Sequence, residues 1–249
     1  MCRAVWCRPR RYGDPTTEYR ISTSSVEKSY TRRLEPLWLY EIILSEHLFE
    51  RYQALLTRRA RVAHHTEQVL ILLPPSEKKG AAPAPAIRLY TGVLYAALGW
   101  GTLSTAQQKL GQSSIVIISA KYGALRPLDP IEPYKEKIDN KEMAPKVVAV
   151  LDGLTPSLII DCRSSTYQTV WQSPIEKTVE IKVFTTVEGQ KKVITHMSKK
   201  TRGEVTRYLL QSDVVPQTPQ VLHEIVSQGF TCTLIEATSK EPWVLEVYC

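Results

Sequence analysis

The sequence predicts an α/β fold: a mixed sheet with flanking helices in a single main domain, behind an atypical N-terminal extension. Three observations carry this. Continuous apolar runs at 68–73, 114–119 and 158–161 have the length and composition of strands buried on both faces. Helical patterns at 88–98, 103–110 and 143–151 alternate with them. Alternating segments at 178–185 and 191–196 then read as a hairpin about Glu188 and Gly189, so the sheet is not purely parallel.

The first strand stops at Pro74 and Pro75. It leaves Ser76, Glu77, Lys78 and Lys79 at its carboxyl end, where open α/β sheets place ligand sites. Residues 81–86 form an Ala/Pro linker. The next two helices are broken by Gly99-Trp100-Gly101 and ended by Gly111. The second strand delivers Lys121, Tyr122 and Gly123. The third is followed by Cys162, Arg163, Ser164, Ser165 and Tyr167. A helix over 198–211 carries a buried stripe of Thr201, Val205, Tyr208 and Leu209. A helix over 219–228, closed by Gly229, precedes strands at 230–236 and 243–248.

Between the second strand and its helix, Pro127, Pro130 and Pro133 recur every third residue, the period of a polyproline II helix. Leu125, Leu128, Ile131 and Tyr134 share one edge of such a segment; Arg126, Asp129, Glu132 and Lys135 share another. The expectation is a stiff strap, apolar edge on the core and charged edge toward a cleft.

At 249 residues the chain is long enough for a sizeable core, and 43% hydrophobic with 23% charged residues is ordinary for a globular protein. A net charge of +7 points to an anionic partner. Five cysteines (2, 7, 162, 232 and 249) lack zinc-ligand spacing, and their odd number fits a reducing compartment. No apolar run reaches the length of a membrane span, and no apolar segment follows the N-terminal arginines as in a signal peptide. A soluble cytoplasmic protein is expected. Residues 1–68 stand apart: they hold 11 Arg and 1 Lys, against 5 Arg and 15 Lys in 69–249. Helical spacing over 34–63 allows two readings, an over-called start with Val69 near the true N-terminus, favoured here, or a helical appendage.

Four motifs in order carry a resemblance: LILLPPSEKK at 70–79, YTGVLY at 90–95, ISAKYGALRPLDPIEPYK at 118–135 and SKKTRGEVTR at 198–207. Together they resemble the YaaA (peroxide stress protein) family over 69–249. The resemblance implies a role in peroxide resistance, through limiting free iron and the DNA damage it promotes, and binding of DNA through a basic cleft. One departure is visible. The family has a long helical segment between its opening strand and the YTG block, of which only 80–89 remains here.

The residues themselves support an anion-seeking cleft. Lys199, Lys200 and Arg202 fall in the first turn of the 198–211 helix as read from sequence, where the dipole disfavours cations unless an anion meets them. Phosphate is the natural candidate; splaying into water, or pairing with Asp129 or Glu132, is the rival. Gly203 would let a backbone or a ligand approach. Arg126 is either a phosphate fork or the partner of Asp129, and Tyr122 or Tyr134 a stacking surface. For Lys121 and Lys135, as for Lys78 and Lys79, plain solvation is the alternative. Ser76 and Glu77 with Ser164 and Tyr167 line the same cleft if the three strands are parallel, with Asp129 as a further polar group. Cys162 beside Arg163 reads as a reactive thiol or, better, as a buried structural residue.

There is no Walker loop, GxSxG elbow or HExxH motif, and His196 and His223 stand alone. No catalytic set, metal or cofactor is expected. Non-sequence-specific binding of double-stranded DNA is the favoured reading. An enzyme acting on a nucleotide or other phosphorylated small molecule is the alternative; direct iron sequestration is weaker, for want of clustered ligands. The sequence carries no signal of oligomeric state.

Overall fold

The computed structural model describes residues 69–187 and 190–249. The Arg-rich segment 1–68, with both of its readings, and the Glu188–Gly189 turn lie outside the described residues. In chain order the elements are β1 (Val69–Leu73), β2 (Ala84–Pro85), α1 (Ala86–Leu89), α2 (Val93–Leu98), α3 (Thr105–Ser114), β3 (Ile115–Ser119), β4 (Gly123–Leu125) and β5 (Pro130–Ile131). There follow α4 (Asn140–Leu151), β6 (Leu158–Asp161), α5 (Ser165–Gln168), β7 (Thr178–Val187) and β8 (Gln190–Lys192). The chain ends with α6 (Thr195–Gln211), α7 (Pro219–Ser227), β9 (Thr231–Ile235) and β10 (Trp243–Tyr248).

Among the described residues the main sheet runs β4-β3-β1-β6-β7-β10-β9, with β8 paired to β7. Strands β3, β1, β6, β7 and β10 are mutually parallel; β4 and β9 pair antiparallel at the two edges, and β8 pairs antiparallel with the end of β7. The expected mixed sheet is therefore a parallel centre with antiparallel margins.

β1, β3 and β6 are buried along their whole length because both faces are covered. Alternate side chains divide between two cores. Val69, Ile71, Leu73, Ile115, Ile117 and Ile160 meet Leu94, Leu98, Val205, Leu209 and Leu222 from the helices of one face. Leu70, Leu72, Val116, Ile118 and Ile159 meet Met143, Val147 and Leu151 of α4 on the other. The connection from β1 to β3 thus crosses one face, and the connection from β3 back to β6 crosses the opposite face. They diverge at the carboxyl end of β1, the switch point at which such sheets open a crevice.

Three segments differ from expectation. The 81–86 linker is not free: Ala84 and Pro85 pair with Ile131 and Pro130, while Ala86 and Ile87 donate to the carbonyls of Asp129 (2.9 Å) and Pro127 (3.0 Å). The proline segment is not one continuous strap. Residues Gly123–Leu125 pair with β3, and a turn with Pro127 at its second position follows, closed by Asp129 N–H to the Arg126 carbonyl at 3.2 Å. That turn breaks the three-residue period. Leu125, Ile131 and Tyr134 are buried as expected, while Leu128 swings out to 45% exposure. Finally, α6 begins at Thr195, because nothing in Thr195-His196-Met197 breaks a helix and the extended Ile194 occupies the cap position.

Gly203 resolves its own ambiguity. A Cβ there would stand 2.1 Å from the Leu94 carbonyl oxygen, so it is the backbone of α2 that approaches. The short connection after Lys79 also closes well. Lys79 bridges to Tyr90, Gly80 donates to the Leu89 carbonyl at 2.8 Å, and Thr91 donates to the Lys78 carbonyl at 3.0 Å. Residues 76–79 and 90–92 are thereby held side by side.

Candidate anion-binding cleft

A cleft of about 1370 Å³ opens at the carboxyl ends of β1 and β6. The Tyr134–Ile138 stretch, the middle of β7 and the first turns of α6 wall it. The parallel register makes this convergence: β1 has β3 on one side and β6 on the other, all pointing the same way. Ser76, Glu77, Lys78 and Lys79 enter from β1, and Lys135 from the segment after β5. Ser164 and Tyr167 enter from the loop after β6, Lys199 and Arg202 from α6.

Five sequence candidates are placed elsewhere. Arg126 sends its guanidinium to the carbonyls of Ser113 (3.0 Å) and Ile115 (3.3 Å), at the amino end of β3 and so at the far end of the sheet from the cleft. Asp129 accepts from the Arg126 backbone N–H at 2.7 Å and pins the turn, without the side-chain ion pair the sequence allowed. Tyr122 packs edge-on against Tyr134, centroids 5.7 Å apart, and its hydroxyl accepts from Glu132 N–H at 3.3 Å. Lys121 pairs with Glu136 at 3.1 Å, and Lys200 pairs with Glu204 one turn along its helix at 3.0 Å. Because α6 starts at Thr195, Lys199, Lys200 and Arg202 lie beyond its first turn. The helix-terminus argument therefore does not apply to them, and Thr195 and His196 hold the terminal positions beside the cleft.

Within the cleft, Arg202 donates through Nε to the Ile181 carbonyl at 3.1 Å and ties α6 to β7. Ser76 is 9% exposed, and its hydroxyl occupies the space a Gly92 side chain would need. The Lys79 ammonium lies 4.1 Å from the Tyr134 ring centroid and 6.0 Å from that of Tyr90. Burial pulls its pKa below the ordinary lysine value, with Glu136 and Glu77 working against that. Beneath it the Tyr90 and Tyr134 hydroxyls meet at 2.8 Å, and Ser119 donates to Tyr134 at 3.0 Å. Burial raises the Tyr90 and Tyr95 phenols well above their usual values. The Tyr167 phenol is pushed up to about 12, mainly by burial and then by Tyr134 and Glu77.

Sequence reasoning missed the scaffold of this site. Arg163 is 1% exposed and grips Asp161 through Nε at 2.9 Å and Nη2 at 2.8 Å. Its Nη1 caps the carbonyls of Tyr167 (3.1 Å) and Trp171 (2.9 Å), which fixes the loop carrying Ser164 and Tyr167. An Asp and an Arg two apart at the end of a buried strand were the available signal. Tyr90 and Ser119 were missed as well, although both lie inside the motifs. Cys162 is wholly buried, and burial pushes its thiol up to about 12, which fits the structural reading.

The lining is cationic on balance. Lys78, Lys79, Lys135, Lys137, Lys182, Lys199 and Arg202 face Glu77, Glu136 and Glu180, while Arg163 is neutralised by Asp161. Among the described residues no group of three or more His, Cys, Asp or Glu is placed to hold a metal, and no helix is long and apolar enough to cross a membrane.

These features define an α/β protein with a basic cleft at the carboxyl edge of a largely parallel sheet. Residues 18–234 match the family described as Peroxide stress protein YaaA, and the chain belongs to that family. UPF0246 protein SCO2297 of Streptomyces coelicolor is 29% identical over 182 residues, covering 67% of this chain and 69% of its own length. UPF0246 protein SPO0106 of Ruegeria pomeroyi is 24% identical over 184 residues, 66% of this chain and 70% of that protein. UPF0246 protein CE1889 of Corynebacterium efficiens is 32% identical over 146 residues, spanning 54% of this chain and 58% of its own.

Proposed function

We propose that this member of the peroxide stress family is a cytoplasmic protein that binds double-stranded DNA through the cleft, without regard to sequence. The observation that carries the reading is the set of lysines lining the cleft, Lys78, Lys135, Lys137, Lys182 and Lys199, against three carboxylates, of which Glu180 pairs with Lys182 at 3.5 Å. Lysines on separate strand ends and helices suit phosphates spaced along a backbone. Of the arginines of the lining, Arg163 is engaged by Asp161 and so offers no free fork for a base edge, while Arg202 is anchored to the Ile181 carbonyl through Nε alone. At about 1370 Å³ the cleft also exceeds the ~300–1,000 Å³ usual for small-ligand pockets.

The test is fluorescence anisotropy of a labelled duplex with the full chain across a salt series. The expected affinity falls linearly in log salt. A Lys78→Ala/Lys135→Ala/Lys199→Ala variant should lower the slope by about 0.9 for each phosphate contact removed. Lys109→Ala, on α3 and outside the lining, should leave it unchanged. Absence of binding, or an unaltered slope in the triple variant, overturns the reading.

A further inference from the structure

We propose that the floor of the cleft is a discrete subsite for a terminal phosphate group, held by the Ser76 hydroxyl, the Lys79 ammonium and the Tyr134 hydroxyl. It stands without the duplex-binding reading, because Ser76, Lys79 and Tyr134 are not among the lysines that carry that reading.

The first observation is Ser76. Its residue is 9% exposed, it lines the cleft, and its hydroxyl makes no hydrogen bond with the described residues. Gly92 leaves room for that hydroxyl, since a Cβ there would stand 2.1 Å from Oγ. Among the described residues the fully buried side-chain polar atoms without a partner are Trp100 Nε1 and Thr201 Oγ1, so the Ser76 hydroxyl is not sealed in but left open to whatever occupies the cleft.

The second is the proton count beneath Lys79. Ser119 Oγ accepts from the backbone N–H groups of Lys121 and Tyr122, both at 3.2 Å, so its own proton goes to Tyr134. Tyr90 is 1% exposed and meets the Tyr134 hydroxyl at 2.8 Å. Either hydroxyl can donate across this contact, and we take the arrangement that pairs the buried Tyr90 proton, with Tyr90 donating to Tyr134. The Tyr134 oxygen then receives two donors, and its own proton is left for a group in the cleft that Tyr134 lines.

The third is Lys79 itself. Its ammonium lies over the Tyr134 ring at 4.1 Å and has no carboxylate within ion-pair distance among the described residues. Glu136 is engaged by Lys121, and Glu77 is at the exposed rim. The Lys79 ammonium has donors only, the Ser76 hydroxyl has a proton to give, and no carboxylate of the described residues accepts from either. A phosphomonoester supplies three oxygens and a charge of about −1.5 to −2 at neutral pH, more than a carboxylate offers a half-buried ammonium.

A terminal phosphate can belong to a free nucleotide or to the 5′ end of a strand. Titration calorimetry of the full chain would use inorganic phosphate, adenosine 5′-monophosphate and adenosine. Matched single strands with 5′-phosphate and 5′-hydroxyl ends would follow. Phosphate and the monophosphate should bind and adenosine should not, with affinity falling about tenfold or more in Ser76→Ala and in Lys79→Gln. Tyr134→Phe, read beside its melting temperature, should weaken the monophosphate while the fold persists. A preference for the phosphorylated strand end assigns the group to a terminus; monophosphate binding without that preference assigns it to a nucleotide. Equal binding of adenosine, no binding of either phosphate compound, or unaltered affinity in both Ser76→Ala and Lys79→Gln overturns the subsite.

Discussion

Ser76 sets its hydroxyl into the space that Gly92 leaves empty, 2.1 Å from where a Cβ on Gly92 would stand. The SEKK turn and the YTG block are therefore one structural unit, joined further by the Lys79–Tyr90 bridge. Gly92→Ala should displace Ser76 and destabilise the fold by about 1–3 kcal/mol. Ser76→Gly in the same chain removes both atoms that clash, and should recover most of that loss. Urea denaturation of the two single variants and the double variant measures the coupling directly. Additive effects would show that the glycine serves something other than Ser76.

Gly203 makes the corresponding contact between helices. The atom a Cβ would strike is the Leu94 carbonyl oxygen, at 2.1 Å, with the Ala97 side chain at 3.0 Å behind it. Backbone cannot rotate aside as a side chain can, so α6 would have to lift from α2. Gly203→Ala should cost about 2–4 kcal/mol despite the better helix propensity of alanine. Gly101→Ala, with nothing within 4 Å of the added atom, should stay within about 0.5 kcal/mol. Thermal melts of the two variants decide it.

The Asp161–Arg163 pair is buried on both sides, and Arg163 also holds two carbonyls of the following loop. Asp161→Asn leaves the guanidinium charge without its counter-ion in a dry setting. The expected loss is about 3–5 kcal/mol by chemical denaturation. Proteolysis at the Ser164–Tyr167 loop should rise in parallel, because the same arginine fixes that segment.

Much of the fold was legible because β1, β3 and β6 are covered on both faces and so read as unbroken apolar runs. Their shared direction could not be read from the runs themselves, yet it is what brings Ser76, Tyr134 and Tyr167 to one edge. Period misled where a turn interrupted it. Arg126 and Lys135 share an edge on an ideal polyproline helix, but the turn at Pro127 sends Arg126 to the amino end of β3. Boundary error misled in α6: three residues more of helix took Lys199 and Lys200 out of the first turn. Arg163 stayed hidden because only its Asp161 partner carries a side-chain signature; the other two, the carbonyls of Tyr167 and Trp171, carry none.

Lys79 gives the cleft a pH signature. Burial lowers its pKa in the folded chain from the usual value of 10.5, so the fold disfavours the charged form relative to the unfolded chain. That penalty is fully present below the folded pKa. It disappears as pH rises through the interval between the folded value and 10.5, where the unfolded chain binds more protons. Stability contributed at this position should therefore increase with pH across that interval, the reverse of a lysine held by an ion pair such as Lys191 with Glu246, whose pKa is raised. Lys79→Met should flatten the pH dependence of urea midpoints, and Lys191→Met should remove a contribution of opposite slope. Glu136 and Glu77 both face Lys79 and oppose the shift, so Glu136→Gln should lower its pKa further. An anion seated over Lys79 would do the opposite, and saturating phosphate should bring the profile of the parent chain toward that of Lys79→Met. A profile that phosphate leaves unchanged would separate the lysine from the ligand.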